Sequence, residues 1–258
     1  MSNPVTTEAV VLKSMKYRET SRIVTFYTRG FGKLKAIAKG ARQPKNKFGA
    51  SLEPMSYVVL VVYRKDHRDI QLISQCDRVG SFRRLYEDFD KIAVGMAVVE
   101  LVDKVSHGEE KNERLFRLLT GALSAIDRAT KKPWYVLYGF EIDLAGVLGF
   151  QPNFEKCVRC KREPGANDGG HVVFHVSRGA PLCSSCGDEP GMKVKISAQS
   201  FYTIQQLARA RSADARADVV IDETVRDEVQ SFLLGFLRFH VEGLQRLKAE
   251  KVLSRIFA

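Results

Sequence analysis

Residues 20–52 read TSRIVTFYTRGFGKLKAIAKGARQPKNKFGASL, a stretch that combines strand-forming side chains with unopposed positive charge. It holds eight basic residues and no aspartate or glutamate; the nearest acids are Glu19 and Glu53. Its aromatic residues lie among these charges: Phe26, Tyr27, Phe31 and Phe48. Unopposed positive charge indicates a polyanionic partner, and interleaved aromatics indicate a surface on which bases stack. The alternative is a solvated, lysine-rich face beside a loop.

The charge of the whole chain is concentrated around this stretch. The 258 residues have a formal net charge of +11. Residues 1–80 hold 15 Lys+Arg against 6 Asp+Glu, whereas the remaining 178 residues hold 26 against 24. This asymmetry marks the N-terminal third as the electrostatic module. The sequence shows no apolar run of membrane-spanning length and no secretory signal, so we expect a cytoplasmic protein without membrane contact.

Strand-like segments fill the chain before residue 80. Enrichment in β-branched and aromatic residues predicts five strands, at about 7–15, 22–28, 33–38, 57–63 and 70–76. A tight Gly30–Gly32 reversal joins the second and third segments, and a longer basic loop follows the third. Five short strands with this spacing predict an OB-fold β-barrel that binds nucleic acid, over residues 1–80. An SH3-like or other small barrel remains the alternative.

The OB fold binds single strands with its second and third strands and with the loop after its first strand. Lys33 and Lys35 alternate with apolar residues and therefore fall on one face of the third strand. Tyr17 and Arg18 lie in the first hairpin connection. The predicted DNA-binding residues are Tyr17, Arg18, Arg22, Lys33, Lys35, Lys39, Arg42, Lys45 and Lys47. Each of them singly also fits a solubilising surface position, so the prediction rests on the group.

After residue 81 the apolar period becomes helical and predicts an α-helical domain over residues 81–258. The first stripe is Leu85, Phe89, Ile92, Met96 and Val99. Further helices are predicted over about 113–128, 133–149, 197–211, 225–239 and 244–257. Ser197 fits an N-cap, and the last helix carries basic residues such as Arg246. We interpret the stripes as core faces without a cofactor.

A cysteine motif interrupts the helices and predicts a zinc-knuckle insertion at 151–195. Cys157-Val-Arg-Cys160 is followed after twenty-two residues by Cys183-Ser-Ser-Cys186. Four thiolates at this spacing predict one tetrahedral, structural Zn²⁺ without an open catalytic position. A redox dithiol or a disulfide pair are the alternatives, and His171 or His175 also has the chemistry to replace one cysteine. Gly187 is expected to ease the turn after the second knuckle.

Signatures of bond chemistry are absent from the sequence. There is no Gly-x-x-x-x-Gly-Lys-Ser/Thr loop, no Gly-x-Gly-x-x-Gly, no Gly-x-Ser-x-Gly and no His-Glu-x-x-His. We therefore assign no catalytic residue and expect a protein that is not an enzyme. A metal-dependent nucleic-acid-processing enzyme with a structural zinc region is the alternative from another class. An RNA-binding ribbon protein is a third, weaker one.

Four segments together resemble the bacterial RecO recombination mediators. They are EAVVLKS at 8–14, YRETSRIVTFYT at 17–28, GKLKAIAKGAR at 32–42, and 174–186 ending PLCSSC. The order of barrel, helices, knuckles and helices matches along essentially the whole chain. The resemblance implies an N-terminal OB domain, a helical domain and a four-cysteine zinc site.

The same resemblance implies a function in recombinational repair. It implies binding to single- and double-stranded DNA, annealing of complementary strands, and help in loading RecA onto DNA coated by single-strand-binding protein. The implied partners are RecR and the acidic, apolar C-terminal tail of the single-strand-binding protein, and the location is the bacterial cytoplasm at the nucleoid. No motif in this chain matches the pocket for that tail, so no residue is assigned to it.

Overall fold

The computed structural model describes residues 4–65, 67–79, 82–131, 133–165, 170–187, 190–244 and 247–257. The chain forms two compact units: residues 1–128 with 247–249, and residues 129–246 with 250–258. Arg246, expected in the basic tail, lies outside the described residues. Within the described ranges, none of the helices has the length and apolarity that crossing a membrane requires. The domain boundary at residue 80 stays a prediction.

The first unit begins with a closed β-barrel. Its strands are β1 Pro4–Tyr17, β2 Ser21–Thr28, β3 Gly32–Ala38, β4 Tyr57–Tyr63 and β5 Gln71–Arg78. They close in the order β1-β2-β3-β5-β4, with β3 and β5 parallel and the other described pairs antiparallel. A five-stranded barrel of this kind is an OB fold, so the predicted fold class is confirmed.

Period-two alternation gives each barrel strand one inner and one outer face. In β3, Leu34, Ala36 and Ala38 are buried in the barrel core, whereas Lys33 and Lys35 face outward. A slip of one residue in the pairing of β2 with β3 would place both lysines in the core. Burial of the apolar set therefore fixes the register that puts the lysines on the outer face.

Two helices complete the first unit: α1 Phe89–Val105 and α2 Glu113–Arg128. The Asp88 side chain caps α1 by accepting from the Lys91 N–H. The extent of α2 is confirmed, but the predicted core face of α1 is wrong at two positions. Phe89 is 66% exposed and Met96 is exposed, while Val94 and the residues on its side are buried. Apolar residues surround most of α1, so their period alone does not select its buried face.

The second unit combines helices with a small sheet. The helices are α3 Trp134–Val147, α4 Ala198–Arg209, α5 Ala213–Ala217, α6 Glu223–His240 and α7 Glu250–Phe257. The strands are β6 His171–His175, β7 Ala180–Leu182 and β8 Lys193–Ser197, in the order β7-β6-β8. Ser197 caps α4 as predicted, since its side chain accepts from the Ser200 N–H. Phe174 of β6 packs edge-on against Phe232 of α6, with 5.0 Å between ring centroids.

Candidate nucleic-acid interface and metal centre

The β1–β2 turn and the loop after β3 meet at one end of the barrel. The Arg42 N–H donates to the Thr20 carbonyl at 2.9 Å, and the Arg42 guanidinium donates to the Arg18 carbonyl at 3.0 Å. Arg18 has a positive φ of 49°, and its guanidinium lies 5.3 Å from the ring centroid of Tyr17. The fold thus brings Arg42 next to the neighbouring pair Tyr17 and Arg18, which lie 24 residues or more before it in sequence.

Three predicted lysines keep their charge available to solvent. Lys35 points outward from β3, and Lys39 and Lys45 lie in the loop that follows. All three are exposed, and no hydrogen bond or ion pair engages their side chains within the described residues. Such ammonium groups are free to approach phosphate oxygens.

Lys33, two residues before Lys35, is engaged inside the protein, which corrects the expectation that it presents free charge. Its ammonium lies 2.8 Å from the Asp103 carboxylate on α1 and also donates to the carbonyls of Asp103 and Ser106. Arg29 is likewise paired, with Glu8 at 2.8 Å and with Glu113 of α2 at 3.0 Å. Helical carboxylates therefore neutralise part of the segment that is free of acids in sequence.

The end of the β2–β3 face next to the β2–β3 turn, where Lys33 lies, is covered by the end of α1 and the loop before α2. The Tyr27 hydroxyl donates to the Asn112 carbonyl at 3.4 Å, and burial raises the pKa of Tyr27 to about 12. Gly32 has a positive φ of 68°, and a Cβ at this position would lie 2.1 Å from the Glu110 carbonyl oxygen. The contact leaves no room for nucleic acid between the β2–β3 turn and the loop.

Two further predicted cations have partners within the barrel unit. Arg22 donates to the Glu53 carboxylate at 2.8 Å and to the Ser14 hydroxyl at 3.2 Å. Lys47 donates to the Ser74 carbonyl at 2.6 Å and lies 5.3 Å from the ring centroid of Phe48. The charge of Arg22 is neutralised by the Glu53 carboxylate. The charge of Lys47 is not neutralised, because the carbonyl that it contacts is uncharged.

Three of the four aromatic residues of the acid-free stretch do not contribute to the expected stacking surface. The fourth, Phe31, is partly exposed, and the Arg64 guanidinium lies 4.9 Å from its ring centroid. Phe26, Tyr27 and Phe48 are buried, because their strand and loop positions point into packed cores. The exposed aromatic that sequence reasoning missed is Tyr63, the last residue of β4, which is 38% exposed. Its signal in the sequence is the following Arg-Lys-Asp-His-Arg run at 64–68. This run belongs to the β4–β5 loop, which OB folds also use for binding.

The four predicted metal ligands come together in the second unit. The sulfur atoms of Cys157, Cys160, Cys183 and Cys186 all lie within 4.8 Å of one another, and those of Cys160 and Cys183 are 3.5 Å apart. Tetrahedral thiolate coordination at about 2.3 Å requires sulfur separations of roughly 3.8 Å, so this cluster fits a single metal ion. Among the described residues, no histidine or carboxylate belongs to the cluster.

Backbone geometry builds the two knuckles. The Lys161 N–H donates to the Cys157 carbonyl, and Lys161 adopts a positive φ of 62° that turns the first knuckle. The Cys186 N–H donates to the Cys183 carbonyl in the second. Gly187 has an ordinary φ of −62°, so the expectation that its freedom eases this turn is wrong. His175 instead lies buried, with Nε2 at 2.9 Å from the Pro190 carbonyl.

The electrostatics of the cluster favour a bound cation. Burial opposes ionisation of Cys157, but the backbone N–H groups of Cys160, Cys183 and Arg159 lower its pKa to about 6. Hydrogen bonding with Cys183 and the other neighbouring sulfurs raises the pKa of Cys186 to about 12. One thiolate thus forms readily, while four crowded thiolates require a compensating positive charge.

Comparison with known proteins matches both halves of the chain to the same family. Residues 1–82 match the family described as Recombination protein O N terminal, and residues 86–250 match Recombination protein O C terminal. DNA repair protein RecO of Salinibacter ruber is 33% identical over 252 residues, covering 98% of this chain and 94% of that protein. RecO of Chloroherpeton thalassium is 27% identical over 97% of this chain and 98% of its own length. RecO of Syntrophus aciditrophicus is 31% identical over 97% and 95%. This chain belongs to the RecO family of DNA repair proteins.

Proposed function

We propose that this protein binds single- and double-stranded DNA through the barrel end at which the β1–β2 turn meets the loop after β3. We also propose that it anneals complementary strands without bond chemistry. Family membership supports a role in DNA repair. The exposed cations of the barrel would supply the electrostatic attraction to the phosphates of DNA. The observation that carries this proposal is the exposed charge of Arg18, Lys39, Arg42 and Lys45 at this end and of Lys35 on the outer face of β3. These groups would neutralise phosphates on two strands, lower their mutual repulsion and allow complementary bases to meet.

Annealing by this protein would take place on DNA that carries other repair proteins. We infer that the protein helps load RecA onto DNA coated by single-strand-binding protein, together with RecR and the tail of the single-strand-binding protein. Within this scheme residues 1–80 form the DNA-binding domain and residues 81–258 the helical domain with the knuckle insertion at 151–195. We propose that the protein has no catalytic residues, and we assign no residue to the pocket for the tail.

We also propose that Cys157, Cys160, Cys183 and Cys186 hold one structural Zn²⁺. A closed set of four cysteine sulfurs is the donor set typical of structural zinc, and it leaves no coordination position for a substrate. When bound, the ion would supply cross-linking between the two knuckles. The fold holds the four sulfurs in place: Cys183 and Cys186 follow the end of β7, Cys157 and Cys160 form the first knuckle, and buried Leu182 packs between them.

The test of DNA binding is a matched pair of charge-reversal variants. Lys35, Lys39 and Arg42 are changed together to Glu, and Lys104, Lys111 and Arg114 are changed together to Glu as the control. Both triples change the net charge equally and use exposed side chains. Affinity for single-stranded and duplex DNA is measured from 50 to 300 mM salt. Annealing is then followed without magnesium or nucleotide.

We expect the Lys35, Lys39 and Arg42 triple variant to lose at least about a hundredfold in DNA affinity. Its affinity should also depend less on salt, because each lost phosphate contact removes ~0.7–0.9 from the slope of log affinity against log salt concentration. The control triple is expected to anneal like the wild type. Equal losses in both triples would refute a localised interface. Cleavage of the DNA when a divalent metal is added would favour the enzymatic alternative instead.

A further inference from the structure

An apolar row crosses the outer face of the barrel from its first strand to its fourth. Cross-strand pairing joins neighbours along the row, from β1 through β2, β3 and β5 to β4. We call this set the apolar row; its members are Met15, Ile23, Ile37, Leu72 and Tyr63. Alternate residues of the same strands fill the barrel core, so the row faces outward. Four steps of ~4.8 Å between strands give it a length of roughly 19 Å.

The apolar row is open to solvent along its length. Met15 is 45% exposed and Tyr63 is 38% exposed at its two ends, and the three members between them are partly exposed. The segments that cover Tyr27 and Lys33 lie over the other part of the β2–β3 face. A sheet face turned to solvent normally carries polar side chains. A continuous apolar strip on it therefore indicates a binding surface.

A groove of about 310 Å³ lies at the Tyr63 end of the row. Its walls come from the end of β4, the β4–β5 loop and the start of β5: Tyr63, Lys65, Arg68, Ile70, Gln71 and Leu72. This volume is at the lower limit of sites that bind small organic groups, which span ~300–1,000 Å³. The groove is thus large enough for one flat ring to enter beside Tyr63.

The shape of the groove is fixed by one buried side chain. Gln71 is 2% exposed; its amide nitrogen donates to the carbonyls of Lys65 at 3.0 Å and Arg68 at 2.7 Å. Its amide oxygen accepts from the Lys65 N–H at 2.8 Å. These three bonds tie Lys65 and Arg68, which both line the groove, to the start of β5. The groove is therefore formed before any ligand arrives, which lowers the entropic cost of binding.

Positive charge borders the apolar row along one side and at its groove end. Lys13 and Lys35 flank it, because each pairs with Thr25 two residues from Ile23. Lys65 and Arg68 border the groove, and no carboxylate is among the described residues that line it. Asp69 is exposed in the same loop, while Asp66 lies outside the described residues. An apolar strip beside a cationic border is complementary to a single strand whose flat bases lie on the strip and whose phosphates follow the border.

We propose that the apolar row binds the bases of a single DNA strand, with Tyr63 stacking on one base over the groove. This inference rests on the proposed DNA-binding function and adds the surface that distinguishes unpaired from paired nucleotides. In a duplex the base faces are covered by stacking and pairing, so the row has nothing to contact. Its length suits a few nucleotides, within the ~4–16 that one OB fold engages.

The test compares Tyr63→Ala with Tyr63→Phe, which keeps the ring and removes only the hydroxyl. Binding to an oligothymidylate and to a duplex of equal length is measured over a salt series. We expect Tyr63→Ala to weaken single-strand binding by about 5- to 150-fold, the range for one stacked base. Duplex affinity and both salt slopes are expected to stay unchanged, because no phosphate contact is lost. Tyr63→Phe is expected to bind like the wild type.

A fluorescent variant tests the inference even if Tyr63→Ala folds poorly. In Tyr63→Trp the indole is expected to be quenched by oligothymidylate and to be unaffected by the duplex, with the wild-type signal subtracted. Absence of quenching, or equal losses on both DNA forms in Tyr63→Ala, would overturn the base-stacking role. Quenching by an acidic peptide and not by DNA would assign the row to a protein partner. Failure of the wild type to bind any DNA would instead refute the proposed function.

Discussion

The cysteine cluster and the cationic barrel face differ in how much of each site is encoded locally. The four cysteines are two short motifs, and their sulfurs converge within 4.8 Å as their spacing predicts. The acid-free stretch predicts one continuous cationic face, yet the fold divides it. Lys33 is paired with Asp103, seventy residues away in sequence, whereas Lys35 remains exposed on the same strand face. Spacing within a motif thus predicts a site better than charge clustering does, because distant acids are invisible to a local pattern.

The largest expected effect concerns the locally encoded site. Cys157→Ala is expected to release the metal and to destabilise the second unit by at least ~5 kcal/mol, since the binding energy of a structural zinc is folding energy. Metal content by mass spectrometry and thermal unfolding measure the effect. Cys76→Ala is the control, because Cys76 is buried in the barrel core and lies outside the cluster. Retention of metal and of thermal stability in Cys157→Ala would contradict a structural role.

The fold was more predictable than the surface, for a physical reason. All five barrel strands, the extent of α2 and the Ser197 cap follow from alternation, period and capping chemistry, which act over a few residues. The exposure of Phe89 and the burial of Phe48 depend on which elements pack together. Tyr63 was missed because its place in the apolar row comes from pairing with Leu72 across strands, and the basic run after it shows charge but not that pairing.

The second effect concerns the covered end of the face. Gly32→Ala would place a Cβ 2.1 Å from the Glu110 carbonyl oxygen and would strain a positive φ. We expect a loss of about 2–4 kcal/mol in unfolding free energy, because backbone must move to relieve the contact. Gly49→Ala is the matched control: its φ is also positive, but nothing lies within 4 Å of the added methyl. It should cost only ~1 kcal/mol, the conformational term alone. Equal costs would show that the loop before α2 does not pack on Gly32.

The third effect separates two lysines that the sequence treats as equivalent. Lys33→Met is expected to lower stability by ~1–2 kcal/mol, because Asp103 and two carbonyls lose their donor, and to leave DNA affinity unchanged. Lys35→Met is expected to do the reverse, with stability intact and the single-strand salt slope reduced by ~0.7. Denaturant unfolding and salt-dependent binding on both variants measure the contrast. Similar losses of DNA affinity would restore the undivided face that the sequence suggests.

The last expected effect concerns a buried pair of polar side chains, Glu141 and Gln230, that no sequence motif predicts. Glu141 of α3 is completely buried, and its Oε1 accepts from the Gln230 amide of α6 at 2.8 Å. Within the described residues, Glu141 Oε2 and Gln230 Oε1 are buried without a hydrogen-bond partner. Burial, opposed by the bond from Gln230, raises the pKa of Glu141 to about 8. A protonated Glu141 has the hydroxyl donor that the unpartnered amide oxygen lacks.

The sign of the resulting pH dependence follows from linkage. Between pH 4.5 and about pH 8 the folded protein holds a proton on Glu141 that the unfolded chain has released, so stability falls as pH rises through this window. Glu141→Gln supplies a neutral donor at every pH. It is expected to raise the unfolding free energy at pH 8 and to flatten its decline from pH 5. Glu242→Gln, at an exposed position in the same unit, is expected to leave that decline unchanged. A Glu141→Gln protein with the wild-type pH profile would mean that Glu141 is already ionised and that packing has admitted a charge without a partner.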